Sequence, residues 1–344
     1  MASKHPIEMN ELTQEQKKSV HVRVITALVL AAILIPALVI GSYFFALAIF
    51  VVAGLSAYEI VHVTKPSKKI GIPLYIVTTI LVESFVFWIF LKNNLETLSE
   101  SHDLFQTFDS VLTNSFTDIS ISIIALLVGA LFYFMMSFLF EEVTISNVMY
   151  YIAMTSIIGI CLQSFMYLRY SPFTAFTPLY SAEYLNGPVF RFAQSWLLLT
   201  YVAIGVFGND IFAFFTGILF GKHKVNPRIS PKKTWEGFAG GMIMSAILSL
   251  AFALILSACN LPISPVLDLS HWYWVLLISL TMPIIGDIGD FVYSAIKRHF
   301  GIKDFSNLLP GHGGVLDRID SLSFGCGLVA TFLIMISNGW NFLI

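Results

Sequence analysis

"VITALVLAAILIPALVIGSYFFALAIFVVAGLSAYEIVHV", residues 24–63, has no Asp, Lys or Arg and a single Glu, Glu59, in forty positions. Gly41 and Ser42 divide it into two runs, 24–41 and 43–63. Each is close to the roughly twenty residues that a helix needs to cross a bilayer. The apolar residues run on without alternating with polar ones, which favours helices over the strands of a membrane barrel. The rest of the chain repeats the pattern. Seven further runs are predicted to span, at about 72–91, 119–139, 148–168, 195–220, 237–258, 271–290 and 321–340. The expected fold is all-α: a polytopic integral membrane helical protein with about nine transmembrane helices.

Composition agrees. Of 344 residues, 57% are hydrophobic and 12% charged, against roughly 25% charged in soluble domains. Net charge is −2, so no global field argues for nucleic acid. Cys161, Cys259 and Cys326 are far apart and show no disulfide framework or zinc spacing. The first twenty-odd residues are polar with no apolar core, so the first run reads as a retained helix rather than a cleaved signal.

Loop charge gives an orientation. With the N-terminus inside, every basic residue but Lys92, Arg169 and Arg191, of 19 in all, falls on inner segments. The positive-inside rule therefore predicts N-in, C-out. The outer 92–118 loop is acidic, with Glu96, Glu100, Asp103, Asp109 and Asp118. Three regions follow: a cytosolic segment 1–23, N-terminal helices 24–190 with little chemistry beyond Glu59 and Glu83, and a C-terminal region 191–344 expected to be catalytic.

Chemistry concentrates in two stretches. The first is "GNDIFAFFTGILFGKHKVNPRISPKKTWEG", 208–237. Asp210 is about ten residues from the end of its span, hence roughly 15 Å deep at helical rise. A carboxylate there is costly and should face a polar cavity or a cation. Ser230 and Pro231 read as the N-cap and first turn of a helix. That would aim backbone N–H groups, Lys232 and Lys233 at an anion. "GILFGK" lacks the spacing and the following Ser/Thr of a phosphate-binding P-loop.

The second is "GDIGDFVYSAIKRHFGIKDFSNLLPGHGGVLDRID", 286–320. Asp287 and Asp290 close one span, and Asp317 and Asp320 open the next. Hard oxygen donors converging at a membrane surface suit Mg²⁺, which keeps water and substrate phosphates as its other ligands. Lys297, Arg298, Lys303 and Arg318 rim them, an arrangement expected for phosphoryl or nucleotidyl transfer. Gly311, Gly313 and Gly314 allow positive φ and close approach. Free N–H groups there are expected to form a phosphate nest, with His312 as a further donor.

At these residues the sequence closely resembles the phosphatidate cytidylyltransferase (CDP-diacylglycerol synthase) family. The family signature has Ser, Lys-Arg, Lys-Asp, Pro-Gly-His-Gly-Gly and Asp-Arg-hydrophobic-Asp. Here these are Ser294, Lys297, Arg298, Lys303, Asp304, Pro310, Gly311, His312, Gly313, Gly314, Asp317, Arg318 and Asp320. "FGK" followed by "ISPKKTWEG", and the intramembrane Asp210, are further hallmarks. The motif-bearing likeness covers about 195–325. One position departs: where many bacterial members carry an acid three residues after Asp290, this chain has Tyr293, with Asp287 one turn earlier as the nearest replacement.

The resemblance implies Mg²⁺-dependent, in-line attack of the phosphatidate phosphate on the α-phosphorus of CTP, giving CDP-diacylglycerol and pyrophosphate. It assigns the metal to Asp290, Asp317 and Asp320, and catalysis to Asp210, Asp290, Lys297, Arg298, Asp317 and Arg318. Substrate binding falls to Lys222, Ser230, Lys232, Lys233, Thr234, Ser294, Lys303, His312, Gly313 and Gly314. The implied partners are CTP, phosphatidate and membrane lipids, in a bacterial plasma membrane with the site facing the cytoplasm. A homo-oligomer is compatible with the sequence. Three rivals make different predictions. A CTP-dependent lipid kinase, or a cytidylyltransferase for another lipid phosphate, differs in product. An ion-coupled transporter using Asp210 and Asp290 needs no CTP, and the lack of an internal repeat weakens it. A non-catalytic lipid scaffold makes charge-neutral changes at Asp317 silent.

Overall fold

The structure is a computed structural model and describes residues 14–99, 115–170 and 188–337. Among these, nine helices follow in order: α1 (Gln14–Ile40), α2 (Ser42–Val63), α3 (Lys68–Ser99), α4 (Ser115–Leu139), α5 (Ile145–Tyr170), α6 (Pro188–Phe220), α7 (Trp235–Ala258), α8 (Trp272–His299) and α9 (Leu316–Ser337). A two-stranded antiparallel hairpin, β1 (Lys224–Asn226) and β2 (Ser230–Thr234), joins α6 to α7. Eight of the nine helices are long and apolar enough to cross a membrane; in α4 the apolar stretch with described side chains, Ile123–Leu139, is shorter. Most of the acidic 92–118 loop lies outside the described residues, as does the first part of the 1–23 segment.

The bundle is apolar on its outer surface as well as in its core. Phe44, Leu47, Phe138, Phe214, Leu219 and Ile247 face outward, where lipid tails solvate them. The inner seams carry small and hydrogen-bonded residues, because apolar contact alone gains little between helices already in hydrocarbon. The Tyr133 hydroxyl on α4 lies 2.8 Å from Thr78 Oγ1 on α3 and 2.9 Å from Thr155 Oγ1 on α5. Tyr201 OH on α6 lies 2.7 Å from Ser279 Oγ on α8. The α6–α7 crossing is the most extensive in the bundle. There Gly241 faces Asn209 and Ala213 so closely that a side chain would collide with both.

α9 ties the two halves together, packing on α8, on α5 of the N-terminal helices and on α6. α1 is the outlier: its span is almost entirely exposed and rests chiefly on α2. One end of the bundle collects the loops that carry charge. Thr26 Oγ1, early in the apolar span His21–Ile40 of α1, donates to Pro310 O at 3.0 Å. Ser67 N after α2 donates to Glu142 Oε2 after α4 at 3.3 Å. The β-hairpin and the α8–α9 connection meet at this same end, through Lys233 and α8.

Several boundaries differ from expectation: α1 begins at Gln14 inside the 1–23 segment, α3 runs to Ser99 and α4 starts at Ser115, both within the expected 92–118 loop, and α6 begins at Pro188. α8 continues past 290 to His299. The hydropathy run stops at Asp290 because charged residues begin to face inward, and the helix itself goes on. Residues 230–234 form β2, so Ser230 is not a helix cap and Pro231 is not in a first turn. Ser230 is paired with Asn226, and Lys224 with Thr234. Proline is tolerated at such a sheet edge. The cap of α7 is Thr234, whose Oγ1 accepts from Gly237 N at 3.2 Å.

Candidate active site

Two lysine–aspartate centres stand side by side at this end. In the first, β2 presents the Lys233 ammonium to α8, where it pairs with Asp287 and, at 2.8 Å, with Asp290 Oδ2. The two acids are three apart on a helix and so share a face. Asp287 is buried, and its second oxygen accepts from Asn209 Nδ2 on α6 at 2.7 Å. Lys233 also stands 4.9 Å from the Phe291 ring centroid, a favourable cation–π position. Burial opposes the charge on Lys233, but the Asp287 and Asp290 carboxylates outweigh it and hold the ammonium above the ordinary lysine range. Asp210 is exposed, makes no hydrogen bond to the described residues, and shares the electrostatic field of Lys233, Asp287 and Asp290.

In the second centre Lys297 Nζ, near the end of α8, donates to Asp317 Oδ1 at 2.6 Å. Asp317 Oδ2 accepts from Phe305 N at 2.9 Å and Gly314 N at 3.0 Å. Both partners are buried. Asp317 thus fastens the first turn of α9 to α8 and to the connecting loop, with each oxygen engaged by protein donors. Asp320, one turn on, accepts from the neighbouring Ser321 N at 2.8 Å and lies in the field of Asp290, Lys297 and Asp210. Ser294 Oγ donates to Asp290 Oδ1 at 3.3 Å.

Outside these centres the cations are free to reach a ligand. Lys222, Lys303 and Arg318 are exposed. Arg298 is exposed too, with one N–H on Ile302 O at 2.9 Å. The side chain of Lys232 lies outside those described. His312 Nδ1 is buried with no hydrogen-bond partner.

The glycine loop is built differently from the nest expected. His312 N and Gly313 N donate to Leu309 O at 2.8 and 3.1 Å, and Gly314 N to Asp317. Val315 N and Leu316 N donate to Glu59 Oε1 and Oε2 at 2.7 and 2.8 Å. Every amide from 312 to 316 therefore has an internal acceptor, and none is left for a phosphate. The glycines serve close approach instead. Gly311 and Gly313 have φ of 74° and 84°. A Cβ on Gly314 would sit 2.8 Å from Glu59 Cδ and closer still to its oxygens. Gly314→Ala is accordingly expected to cost about 1–3 kcal/mol of stability by overpacking and to cut turnover at least about tenfold. A thermal melt and a rate assay of the purified variant check this, and wild-type values in both would rule the close contact out.

The carboxylates divide by availability. Asp287 and Asp317 are engaged at both oxygens, whereas Asp210 and one oxygen of Asp320 are not, and Asp290 holds only Lys233 and a long Ser294 contact. No three metal-ligating side chains among the described residues already converge on one point. Mg²⁺ asks the protein for only one or two carboxylates when substrate phosphates and water complete its shell. Asp290 and Asp320 fit that need; Asp317, expected on the metal, is committed to Lys297 and two amides.

The sequence singles out Asp287 beside Asp290, and Glu59 as one of two acids within the N-terminal spans, but not their partners; Asn209 it does not single out at all, and only the fold brings it to Asp287. Tyr293, in place of an acid, is fully buried and packs edge-on against Phe305 and Phe324 at 5.8 and 6.2 Å.

The helices long and apolar enough to cross a membrane thus carry ion-paired lysines and aspartates at one end, and the class of protein, a nucleotidyltransferase, comes from the family match. The chain belongs to the cytidylyltransferase family, whose sequence model matches residues 21–336. It is similar to the phosphatidate cytidylyltransferase of Bacillus subtilis, 29% identical over 303 residues, which is 88% of this chain and 93% of the relative. The phosphatidate cytidylyltransferase of Staphylococcus saprophyticus is 38% identical over 179 residues, 51% of this chain and 59% of the relative. That of Staphylococcus aureus is 41% identical over 137 residues, 40% of this chain and 48% of the relative. The match thus spans about half the length of these two staphylococcal relatives.

Proposed function

We propose that this chain makes CDP-diacylglycerol and pyrophosphate from CTP and phosphatidate, with its site at the cytoplasmic face of a bacterial plasma membrane. The observation that carries the reading is the pairing of two lysine–aspartate centres, Lys233 with Asp287 and Asp290, and Lys297 with Asp317, beneath a rim of exposed cations. The N-in orientation is supported by the gathering of basic loops at that end.

A phosphate oxygen of the lipid attacks the α-phosphorus of CTP, and the bond from that phosphorus to the β-phosphate bridging oxygen breaks. The nucleophile is already anionic, so no strong general base is required, and positioning and charge neutralisation dominate. Lys222, Arg298, Lys303 and Arg318 gather the triphosphate and the lipid phosphate. Arg298 and Arg318 present planar forks suited to two phosphate oxygens at once. Lys233 and Lys297, held by their acids, set the floor of the site. Asp210 lines the membrane side of that floor and keeps it polar. Mg²⁺, held by Asp290 and Asp320, would supply charge neutralisation between the phosphates.

The test is pyrophosphate release by detergent-purified protein given CTP, phosphatidate and Mg²⁺, with each omitted in turn. Release needing all three, with a CDP-lipid product, is expected. Release of CDP with a phosphorylated lipid would instead show a lipid kinase, and no release from folded protein would overturn the reaction.

A further inference from the structure

The N-terminal helices have no assigned part in the chemistry, yet one of their side chains reaches into the signature loop. Glu59 stands one turn from the end of α2 and is completely buried. Its carboxylate accepts three hydrogen bonds from across the protein: Ser306 Oγ at 2.6 Å, Val315 N at 2.7 Å and Leu316 N at 2.8 Å. The last two amides belong to the start of α9. Those donors are orphaned in any helix, and the dipole there favours a negative charge. A local residue normally supplies such a cap; here the cap comes from another helix, 257 residues away in sequence.

We infer that Glu59 is a positioning residue: it clamps the 306–316 loop and the first turn of α9, and so fixes where Asp317, Arg318 and Asp320 point. Three features support this. Gly314 leaves room for the carboxylate where any side chain would collide. Asp317 takes the Gly314 amide next to the two amides that Glu59 takes, so the two acids divide one run of backbone donors between them. Tyr150 on α5, whose ring lies 5.7 Å from that of Tyr151, feels the Glu59 charge, so a second N-terminal helix stands beside the clamp. The activity arm of this inference rests on the nucleotidyl-transfer reading; the structural arm does not.

The experiment compares wild type, Glu59→Gln, Ser306→Ala and a control, Tyr133→Phe, in detergent. Gln keeps the size, but its amide NH₂ must face one of the donors. Glu59→Gln is expected to lower kcat at saturating CTP and phosphatidate about 10- to 100-fold, with KM for each substrate within about threefold. Amide hydrogen exchange over 305–318 should rise at least about tenfold while α3 and α7 stay protected. Ser306→Ala should lose less, and the double variant should fall no further than Glu59→Gln alone. Tyr133→Phe, which removes the buried hydroxyl bridging Thr78 and Thr155 and touches none of the Glu59 hydrogen bonds, should lower thermal stability with turnover unchanged. Faster exchange with wild-type kcat would reduce Glu59 to a structural cap, and lost kcat with unchanged exchange would remove the clamp; either result overturns the inference. If the wild type releases no pyrophosphate, the reaction fails, and the exchange comparison still decides the clamp.

Discussion

Asp317→Asn should abolish turnover and weaken the fold together. The carboxylate takes an ammonium on one oxygen and two backbone amides on the other. An asparagine amide cannot repeat this in either orientation. If its oxygen faces Lys297, its NH₂ meets the Phe305 and Gly314 N–H groups; if flipped, it meets the lysine. Lys297, nearly buried at 8% exposure, is then left without its anion. Removing one member of a buried pair costs about 3–5 kcal/mol. Misplacement of α9 by an ångström is enough for about a 10²-fold loss of rate. Turnover in the variant is therefore expected at or below about 1% of wild type, with a clearly lower melting temperature in detergent. An active Asp317→Asn protein with a normal melt would show that neither the pair nor the anchor matters. Asp290→Asn separates the two roles. Asp290 is less buried and less constrained, so its loss should take activity and leave the melt nearly unchanged.

Lys233→Met should have a comparable effect through the opposite imbalance. Here the cation goes and two carboxylates one turn apart remain, Asp287 with only 3% of its side chain exposed. Turnover should fall at least about 10²-fold, and stability should drop with it. Adding Asp287→Asn removes the buried charge and should recover much of the melting temperature without restoring turnover, because the ammonium is still absent. Recovery of activity in that double variant would mean that Lys233 serves only to neutralise Asp287. Lys233→Arg keeps the charge but replaces a compact ammonium with a planar fork, so it should sit between wild type and Lys233→Met in both measurements.

The parts legible in the sequence were those written locally. Continuous apolar runs mark the spans, since a helix in lipid must show hydrocarbon on nearly every face. The acids and bases of 286–320 announce the site because charge beside a membrane is expensive and seldom accidental. Errors arose where local pattern competes with a distant partner. Ser230-Pro231 has the look of a helix start, yet pairing with Lys224–Asn226 pulls the segment into a strand and moves the cap to Thr234. The glycines after Pro310 look like a phosphate cradle, yet Leu309 and Asp317 take the Gly313 and Gly314 amides, and Glu59 takes the two that follow. Asn209 follows the same logic. Neighbours on a helix point in different directions, so Asp210 and Asn209 face different surroundings, and only the three-dimensional fold shows that Asn209 meets Asp287.

The reach of Glu59 has a consequence for how the chain is made. Its nearest partner in sequence, Ser306, is 247 residues further on. At a synthesis rate of about 5–20 residues per second, α2 waits on the order of 12–50 s before any of its acceptor sites can be filled. During that interval Glu59 lacks all three of its hydrogen-bond donors, and α2 has not reached its final contacts. The start of α9 is thus what locks α2 in place, and this closure runs backward along the chain, from a late segment to an early one.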